Sequence, residues 1–265
     1  MQYKAMKEKI SILGCGWLGK PLAISLMKQG FSVKGSTTSE AKLIEFQELG
    51  ITPFLISLDN LTSNIAAFLD SEILVVALPS KDIEGFRNLI SHVEKSAIKK
   101  VIFISSTSVY GNSEELVTEA SETIPSDLTT IEMLFKNSTH FETTIIRFSG
   151  LFGYNRKPGN FFKDGRKIPN PDGFVNMIHQ DDCIHLIEKV IEKNAWNQIF
   201  NGCADTHPTR KEFYTKCTLD IGLKNPVFEN IGQVQQKVIS NKKSKEILGL
   251  NYQYGDLLTL NYGEI

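Results

Sequence analysis

A short glycine-rich segment near the start of the sequence has the spacing that exposes backbone N–H groups to a phosphate. The segment Gly14-Cys15-Gly16-Trp17-Leu18-Gly19 fits the pattern G-x-G-x-x-G, follows the apolar run Lys9–Leu13 and precedes a segment with helical periodicity. The three glycines allow, in order, a tight turn, close approach of a pyrophosphate and close packing of a helix on a strand. The alternative is a tight turn that only resembles this pattern. We predict that a dinucleotide contacts Gly14, Gly16, Trp17, Leu18 and Gly19.

Hydroxyl side chains follow at the end of the second predicted strand, where the ribose of a bound dinucleotide lies. An NAD site usually places Asp or Glu here, but this sequence has Ser36, Thr37 and Thr38, with no acid between the glycines and Glu40. With the nearby Lys34, these hydroxyls suit a 2′-phosphate, so we predict NADP in preference to NAD. Alternatively, the three hydroxyls only cap the next helix.

Strands and helices alternate through the first 150 residues. Continuous apolar runs such as Ile73–Leu78 and Val101–Ser105 are typical of parallel strands that are covered on both faces. This order predicts an α/β fold, a Rossmann-type doubly wound parallel sheet with a smaller C-terminal substrate-binding cap. Ligands of such sheets bind beyond the carboxyl ends of the strands. The dinucleotide is therefore expected to contact Ala77, Leu78, Pro79 and Ser105.

Two regions are predicted. An NAD(P)-binding domain occupies residues 1–150, and residues 176–204 return to it; residues 151–175 and 205–265 form a smaller substrate-binding region. Residues 151–175 are rich in Gly, Pro, Asn and basic side chains, which favours a long functional loop. The predicted strands are Lys9–Leu13, Phe31–Gly35, Ile51–Leu58, Ile73–Leu78, Val101–Ser105, Thr143–Phe148 and Gln198–Gly202, and the predicted helices are Leu18–Gln29, Ala41–Leu49, Ile83–Ser96 and Asp181–Lys193.

Four ordered segments carry a family resemblance. They are Ile104–Gly111 after a buried strand, Arg147–Gly153 with its aromatic-glycine end, the Asn-x-Ile-His-x-Asp-Asp motif at Asn176–Asp182, and Ile199–Gly202 with its asparagine. In order and spacing they resemble the extended short-chain dehydrogenases/reductases, the group of nucleotide-sugar epimerases and dehydratases. The resemblance covers roughly Lys9–Gly222 and implies hydride chemistry at a hydroxyl or carbonyl carbon.

The resemblance also indicates which catalytic groups to look for. Ser106 matches the Ser or Thr that hydrogen-bonds the reacting oxygen, unless it only satisfies backbone groups of its loop. The family's Tyr-x-x-x-Lys acid/base pair is missing, because matching Glu132 to the acidic residue of the family's helix places Ile124 and Leu128 at the two positions. Tyr110 is then the nearest candidate phenol for proton transfer.

On the same helix, Glu132 and Lys136 have the spacing of an exposed helical ion pair, which is the role we expect for them.

The glycine pattern also departs from the family, because it is G-x-G-x-x-G, whereas most members have T-G-x-x-G-x-x-G. This departure and the missing tyrosine together place the sequence among the atypical members of the family.

The segment Tyr154–Lys167 is strongly basic, with five cations against one acid. In sugar-nucleotide enzymes the corresponding region holds the substrate pyrophosphate, and arginine is suited to bidentate phosphate contacts. An anionic substrate is therefore expected, although a solvated loop whose charge serves solubility would look the same. The predicted substrate-binding residues are Arg156, Lys157, Asn160, Lys163 and Arg166.

The bulk composition excludes several other classes. The formal net charge of −1 favours neither nucleic acid nor a membrane surface as a partner, and no stretch approaches the ~20 apolar residues of a membrane span. The four cysteines include no C-x-x-C pair, which favours a reduced, cytoplasmic protein. The histidines share no metal-ligand spacing, so no metal is predicted, and the resemblance gives His179 a structural role.

Three functions are compatible with these features. The first is an NAD(P)-dependent epimerase, dehydratase or reductase acting on a sugar nucleotide or another anionic hydroxyl or carbonyl compound. The second is a catalytically inactive NADP-binding sensor or regulatory protein, which the missing tyrosine favours. The third is a β-hydroxyacid dehydrogenase, supported locally by Gly14–Ala23 and Val75–Pro79 but opposed by the strand Val101–Ser105. The expected assembly is a homodimer.

Overall fold

The protein is described by a computed structural model that covers residues 8–61, 64–231 and 236–265. The strands are β1 (Lys9–Leu13), β2 (Ser32–Thr37), β3 (Thr52–Leu55), β4 (Ile73–Val76), β5 (Lys100–Ser106), β6 (Leu116–Val117), β7 (Glu142–Phe148), β8 (Gly150–Phe152), β9 (Ile168–Pro169), β10 (Met177–His179), β11 (Ile199–Gly202), β12 (Phe228–Glu229) and β13 (Val238–Ile239). The helices are α1 (Gly19–Lys28), α2 (Ala41–Glu48), α3 (Ile65–Phe68), α4 (Ile83–Val93), α5 (Asp127–Asn137), α6 (Gln180–Glu192), α7 (Arg210–Asp220) and α8 (Lys242–Leu248). Within these ranges, no helix combines the length and the apolar character that a membrane crossing requires.

Seven strands form one sheet in the order β3-β2-β1-β4-β5-β7-β11. The pairs β1–β2, β2–β3, β1–β4 and β4–β5 are parallel. The chain runs outward from β1 to β3 and then crosses to β4 on the other side of β1, so the strand order reverses between β1 and β4. Ligands of such sheets bind at this reversal, beyond the carboxyl ends of the strands. The α/β, Rossmann-type doubly wound sheet predicted from the sequence is confirmed.

Local sequence explains the elements around this reversal. All four residues of β4 are buried, as expected for a parallel strand that has a partner on each side. Helix α1 buries Leu22, Ala23 and Leu26 on one face. The chain leaves α1 through Gly30, whose φ of +94° is readily adopted only by glycine.

Most predicted elements differ from the observed ones by one or two residues at an end, and three segments differ more. The strand predicted at Ile51–Leu58 ends at Leu55, because a turn closed by the antiparallel bridge between Ser57 and Asn60 reverses the chain. The helix predicted to reach Ser96 ends at Val93. The segment predicted as a long loop contains the short 3-10 helix Pro158–Asn160 and the strand β9.

The described residues divide into two compact units. The first contains the residues up to Ser105, together with Pro125–Ile146 and Ile187–Ile199. Its core includes three aromatic rings, one each from α4, β5 and α5. Phe103 of β5 stacks on Phe135 of α5 with 4.7 Å between the ring centroids, and Phe86 of α4 meets both rings edge-on. Such pairs add to the stabilisation that comes from burying apolar area.

The second unit contains Ser106–Ile124, Arg147–Leu186 and the described part of Phe200–Ile265. It holds the parallel strand pairs β8–β10, β9–β12 and β6–β13. Four of these six strands are only two residues long, too short for an alternating apolar pattern to predict them. A second apolar core in this unit includes Phe152, Met177, Phe213 and Tyr262.

Candidate active site

The glycine loop joins β1 to α1 in the first unit. Gly14 has a φ of +100°, and a Cβ on it would lie 2.7 Å from the carbonyl oxygen of Ala77. A Cβ on Gly19 would overlap the carbonyl oxygen of Gly14, so the first and third glycines are required for packing. Gly16 is exposed, and a Cβ there would meet nothing within 4 Å. The second glycine therefore leaves open the space that a pyrophosphate would fill.

The loop is held from the neighbouring strand by Ser36. The N–H of Gly14 donates to Ser36 Oγ at 2.8 Å, and the N–H of Cys15 donates to the backbone oxygen of Ser36 at 2.9 Å. Ser36 is buried, so its side chain positions the loop and is not directed at a ribose. Thr37 Oγ1 accepts the N–H of Ser39, and Thr38 is exposed. Of the three predicted hydroxyl groups, those of Thr37 and Thr38 are left to contact the cofactor.

Lys34 does not support the prediction of a 2′-phosphate site. Its ammonium group donates to the backbone oxygens of Ala67 and Asp70, both at 2.6 Å, and forms an ion pair with the Asp70 carboxylate at 3.5 Å. Ala67 and Asp70 precede β4, which runs parallel to β1 and β2, so the ammonium group is held toward the amino end of the sheet, away from the ribose. The alternative of a helix cap is also wrong, since α2 begins after Glu40 without a side-chain cap.

Strands β4 and β5 end beside the loop. The N–H of Ala77 donates to the backbone oxygen of Leu13, which keeps the ends of β1 and β4 together, and Leu78 lies against Gly14. Pro79 follows and is exposed. Ser105, at the end of β5, donates its hydroxyl to Glu132 Oε1 of α5 at 2.5 Å, and both residues are buried.

The bond between Ser105 and Glu132 corrects two expectations. Glu132 is buried, with 4% of its surface exposed, and so is not the exposed partner of Lys136 that its spacing suggested. The Ser105 hydroxyl is hydrogen-bonded to Glu132 of α5, so Ser105 would contact a cofactor through its backbone groups. The error arose because an i, i+4 pattern of charges does not reveal which face of the helix is buried.

The residues of this loop fit a dinucleotide pyrophosphate. Helix α1 has no acidic residue in its first turn and no side-chain cap, so its first N–H groups are oriented to bind an anion. Leu18 is buried and Trp17 is half-buried, which indicates that these two residues contribute backbone N–H groups more than side chains. When bound, the dinucleotide would supply hydride transfer.

The second unit contains a cavity of about 830 Å³, lined entirely by its own residues. Four cationic side chains line it, from Arg166, Lys167, Arg210 and Lys237. Two of them are paired with carboxylates outside the lining, Arg166 with Asp164 at 2.6 Å and Lys167 with Glu229 at 3.7 Å. Aromatic and aliphatic groups such as Phe162 complete the wall. A cavity of this charge and size suits an anionic small molecule.

Ser106 and Tyr110, the two predicted catalytic residues, both line this cavity. Ser106 Oγ accepts the N–H of Ser108 at 3.1 Å, so its hydroxyl proton can be donated to a substrate oxygen. Tyr110 is buried, donates its hydroxyl to Asn201 Oδ1 at 2.9 Å and accepts from Arg147 at 2.8 Å. Burial raises the pKa of Tyr110, against the smaller lowering effect of Arg147. A phenol that exchanges its proton near neutral pH needs the opposite shift.

Only one of the five predicted substrate-binding residues lines the cavity. Arg166 does so, whereas Arg156 donates to the backbone oxygen of Leu151 and Lys157 to that of Gly263. Asn160 and Lys163 are exposed and lie outside the lining. Of the five cations of this segment, Arg166 and its neighbour Lys167 are the two that line the cavity.

Two cations of the cavity have no counterpart in the sequence prediction. Arg210, in the first turn of α7, donates to the backbone oxygen of Pro169 at 3.0 Å, and Lys237 precedes β13. The capping box at Thr209 predicts the start of α7, but the sequence carries no sign that the next residue enters the cavity. Lys237 lies in an irregular segment, where no pattern predicts its direction.

The glycine loop and the strand order agree with what is known of related sequences. A family model described as NAD(P)H-binding matches residues 14–188. The chain belongs to this NAD(P)H-binding family. It is also 31% identical over 271 residues to Protein YeeZ of Escherichia coli (strain K12), and the match covers 96% of this chain and 98% of that protein.

Solved structures share the fold of this NAD(P)H-binding protein. UDP-glucuronic acid 4-epimerase from Bacillus cereus, in complex with UDP-glucuronic acid and NAD, is 18% identical with a TM-score of 0.76, and the match covers 96% of this chain and 98% of that chain. A short-chain dehydrogenase/reductase superfamily protein from Agrobacterium tumefaciens with bound NAD is 17% identical with a TM-score of 0.79, covering 97% and 95%. The NAD(P)-binding fold that the four ordered segments implied is confirmed.

This member of the NAD(P)H-binding family has aliphatic residues at the two positions matched to the tyrosine and lysine. Ile124 lines the cavity with 48% of its surface exposed, and Leu128 packs against the core of the first unit. His179 is buried, its Nδ1 accepts the N–H of Asp181 at 3.2 Å, and its ring stacks on Tyr254, as a structural role predicts. Among the described residues, no group of three or more His, Cys, Asp or Glu side chains could hold a metal ion.

Proposed function

We propose that the protein is an NAD(P)-dependent oxidoreductase or epimerase that acts on an anionic hydroxyl or carbonyl compound. The cavity of the second unit carries the proposal, because four cations and the hydroxyl of Ser106 line one space, with Arg166 also paired to Asp164 and Lys167 to Glu229. The cations would hold an acidic group of the substrate, and Ser106 would donate to the oxygen at the reacting carbon. A sugar nucleotide fits this description, as in the Bacillus cereus epimerase of the same fold, which is described with UDP-glucuronic acid.

We infer that NADP is preferred to NAD. With Lys34 and Ser36 committed elsewhere, the inference rests on the Thr37 and Thr38 hydroxyls and on the missing carboxylate at the end of β2. We expect NADPH to bind about tenfold or more tightly than NADH, and Thr38→Asp to reverse this order by repelling the 2′-phosphate. Titration of cofactor fluorescence measures both affinities. Tighter binding of NADH by the unaltered protein would contradict the inference.

A second candidate function is a dinucleotide-binding sensor without turnover. It is favoured by Ile124, because an aliphatic side chain lines the cavity at the position matched to the family's tyrosine. Such a protein would bind NADPH and an anionic compound but transfer no hydride.

A turnover panel separates the two functions. The purified protein is incubated with NADPH or NADP and with UDP-sugars, hydroxy acids and keto acids, and cofactor absorbance and product formation are followed. Turnover of one compound, with a rate that Ser106→Ala lowers about 100-fold or more, supports the enzymatic function. Saturable binding of NADPH with no turnover of any compound supports the sensor.

A further inference from the structure

Lys237 occupies an unusual position in the cavity of the second unit. Its ammonium group donates to the backbone oxygens of Thr107, at 3.2 Å, and Tyr110, at 2.9 Å. These two carbonyls belong to the short 3-10 turn that directly follows Ser106, and the lysine is one of the residues that line the cavity. The turn that carries Ser106 and the Lys237 nitrogen are thus held together.

Two fixed hydrogen bonds suit a nitrogen that exchanges a proton. An ammonium group has three N–H donors, and the amine left after loss of one proton still has two. The two carbonyls can therefore hold the nitrogen in both protonation states. The third position on the nitrogen carries the exchangeable proton, or the lone pair that replaces it.

We propose that Lys237 is the catalytic residue that transfers the proton in this cavity, in place of the missing tyrosine. The proposal rests on the proposed enzymatic function. Ser106 would donate a hydrogen bond to the reacting oxygen, and Lys237 would give that oxygen its proton during reduction or remove it during oxidation.

The proposed step balances in the direction of reduction. The substrate's carbonyl carbon accepts a hydride, which is the chemistry that a reduced nicotinamide dinucleotide supplies. The electron pair of the C–O π bond moves to oxygen, an O–H bond forms there and one N–H bond of Lys237 breaks. An alcohol, an oxidised dinucleotide and a neutral amine result, and solvent returns a proton to the amine. Oxidation of an alcohol follows the same path in reverse.

The surroundings of Lys237 favour proton exchange. The other titratable or charged side chains that line the cavity are those of Tyr110, Arg166, Lys167, Arg210 and Tyr214. Burial lowers the pKa of Lys237, because the charged form loses hydration. A lysine with a lowered pKa exchanges its proton closer to neutral pH, where general acid–base catalysis is most effective.

Two substitutions separate proton transfer from charge and from support of the turn. Lys237→Arg keeps the charge and several N–H donors for the two carbonyls, but a guanidinium does not lose its proton in proteins. Lys237→Met removes charge, donors and proton together. Lys242→Met serves as the matched control, because Lys242 is exposed, lies outside the cavity lining and forms an ion pair with Glu246 one turn away.

The kinetic test uses the compound that the unaltered protein turns over in the panel. We expect both Lys237 variants to lose about 100-fold or more in kcat with NADPH affinity kept, and Lys237→Arg, which retains the charge and the donors, to change KM less than threefold and to keep the melting temperature. We expect Lys242→Met to leave kcat unchanged. If Lys237→Arg keeps kcat within threefold, Lys237 acts through its charge or its support of the turn and the proposal is overturned. If the unaltered protein turns over nothing, the proposed function itself fails.

A second readout needs no substrate. Acetic anhydride acetylates an amine only when the amine is neutral. The extent of acetylation of the peptide that contains Lys237, measured by mass spectrometry at a series of pH values, therefore follows the titration of this lysine. We expect half-maximal labelling at a lower pH in the folded protein than in protein unfolded in urea. The same midpoint in both states would contradict the proposal.

Discussion

Gly16 and Gly19 lie three residues apart in one loop, yet a side chain would have different consequences at the two positions. At Gly16 it would enter open space, whereas at Gly19 it would overlap the backbone of Gly14. In the pattern G-x-G-x-x-G, the second glycine is therefore required for binding and the third glycine for folding. The two requirements can be separated by experiment, because Gly16 is not among the glycines with a positive φ and tolerates other side chains conformationally.

We expect Gly16→Val to weaken NADPH binding about tenfold or more, which corresponds to ~1.4 kcal/mol, because its methyl groups occupy the pyrophosphate space. The melting temperature should stay the same. Gly19→Val, the matched control, should lower the melting temperature because of the overlap with Gly14. Fluorescence titration and thermal melting measure the two effects. Unchanged NADPH affinity in Gly16→Val would show that the dinucleotide does not bind at this loop.

Strand β5 and helix α5 are joined in two ways. The stacked rings of Phe103 and Phe135 join them in the core, and the bond from the Ser105 hydroxyl to Glu132 joins them near the end of the strand. The second contact is buried, and an unsatisfied buried carboxyl group is costly. Glu132 therefore has a structural role in fixing the end of β5, whose last residue is Ser106.

We expect Ser105→Ala to lower the free energy of unfolding by roughly 1–3 kcal/mol, because the buried carboxyl group of Glu132 loses a donor. Ser108→Ala removes a hydroxyl from an exposed residue two positions beyond the end of β5 and should change that free energy by less than about 0.5 kcal/mol. Urea unfolding of the two variants measures both values. Equal effects would show that the bond to Glu132 adds nothing to stability.

For the whole molecule, burial of His179 links stability to pH. Burial lowers the pKa of His179 to about 4, against the smaller raising effect of Asp181. In the unfolded chain this histidine takes up its proton near pH 6.5. Between these two values the unfolded state binds more protons than the folded state, so the free energy of unfolding falls as the pH is lowered.

We expect His179 to account for a loss of about 2 kcal/mol in the free energy of unfolding between pH 7.5 and pH 5. His179→Gln should destabilise the protein at both pH values, but it should remove this part of the pH dependence because glutamine does not titrate. Urea unfolding of both proteins at the two pH values gives the difference. If the pH dependence of the variant equals that of the unaltered protein, His179 titrates alike in the folded and unfolded states.

The sequence by itself determined the glycine loop, the order of strands and helices and the doubly wound sheet, because each depends on local spacing or on short apolar periods. Only the tertiary structure decided which side chains share a site. Arg166, Arg210 and Lys237 meet in one cavity although they are far apart in sequence, and Lys34 is drawn away from the end of β2 by carbonyls near Asp70. Side-chain direction outside regular elements depends on such distant partners, which no local pattern records.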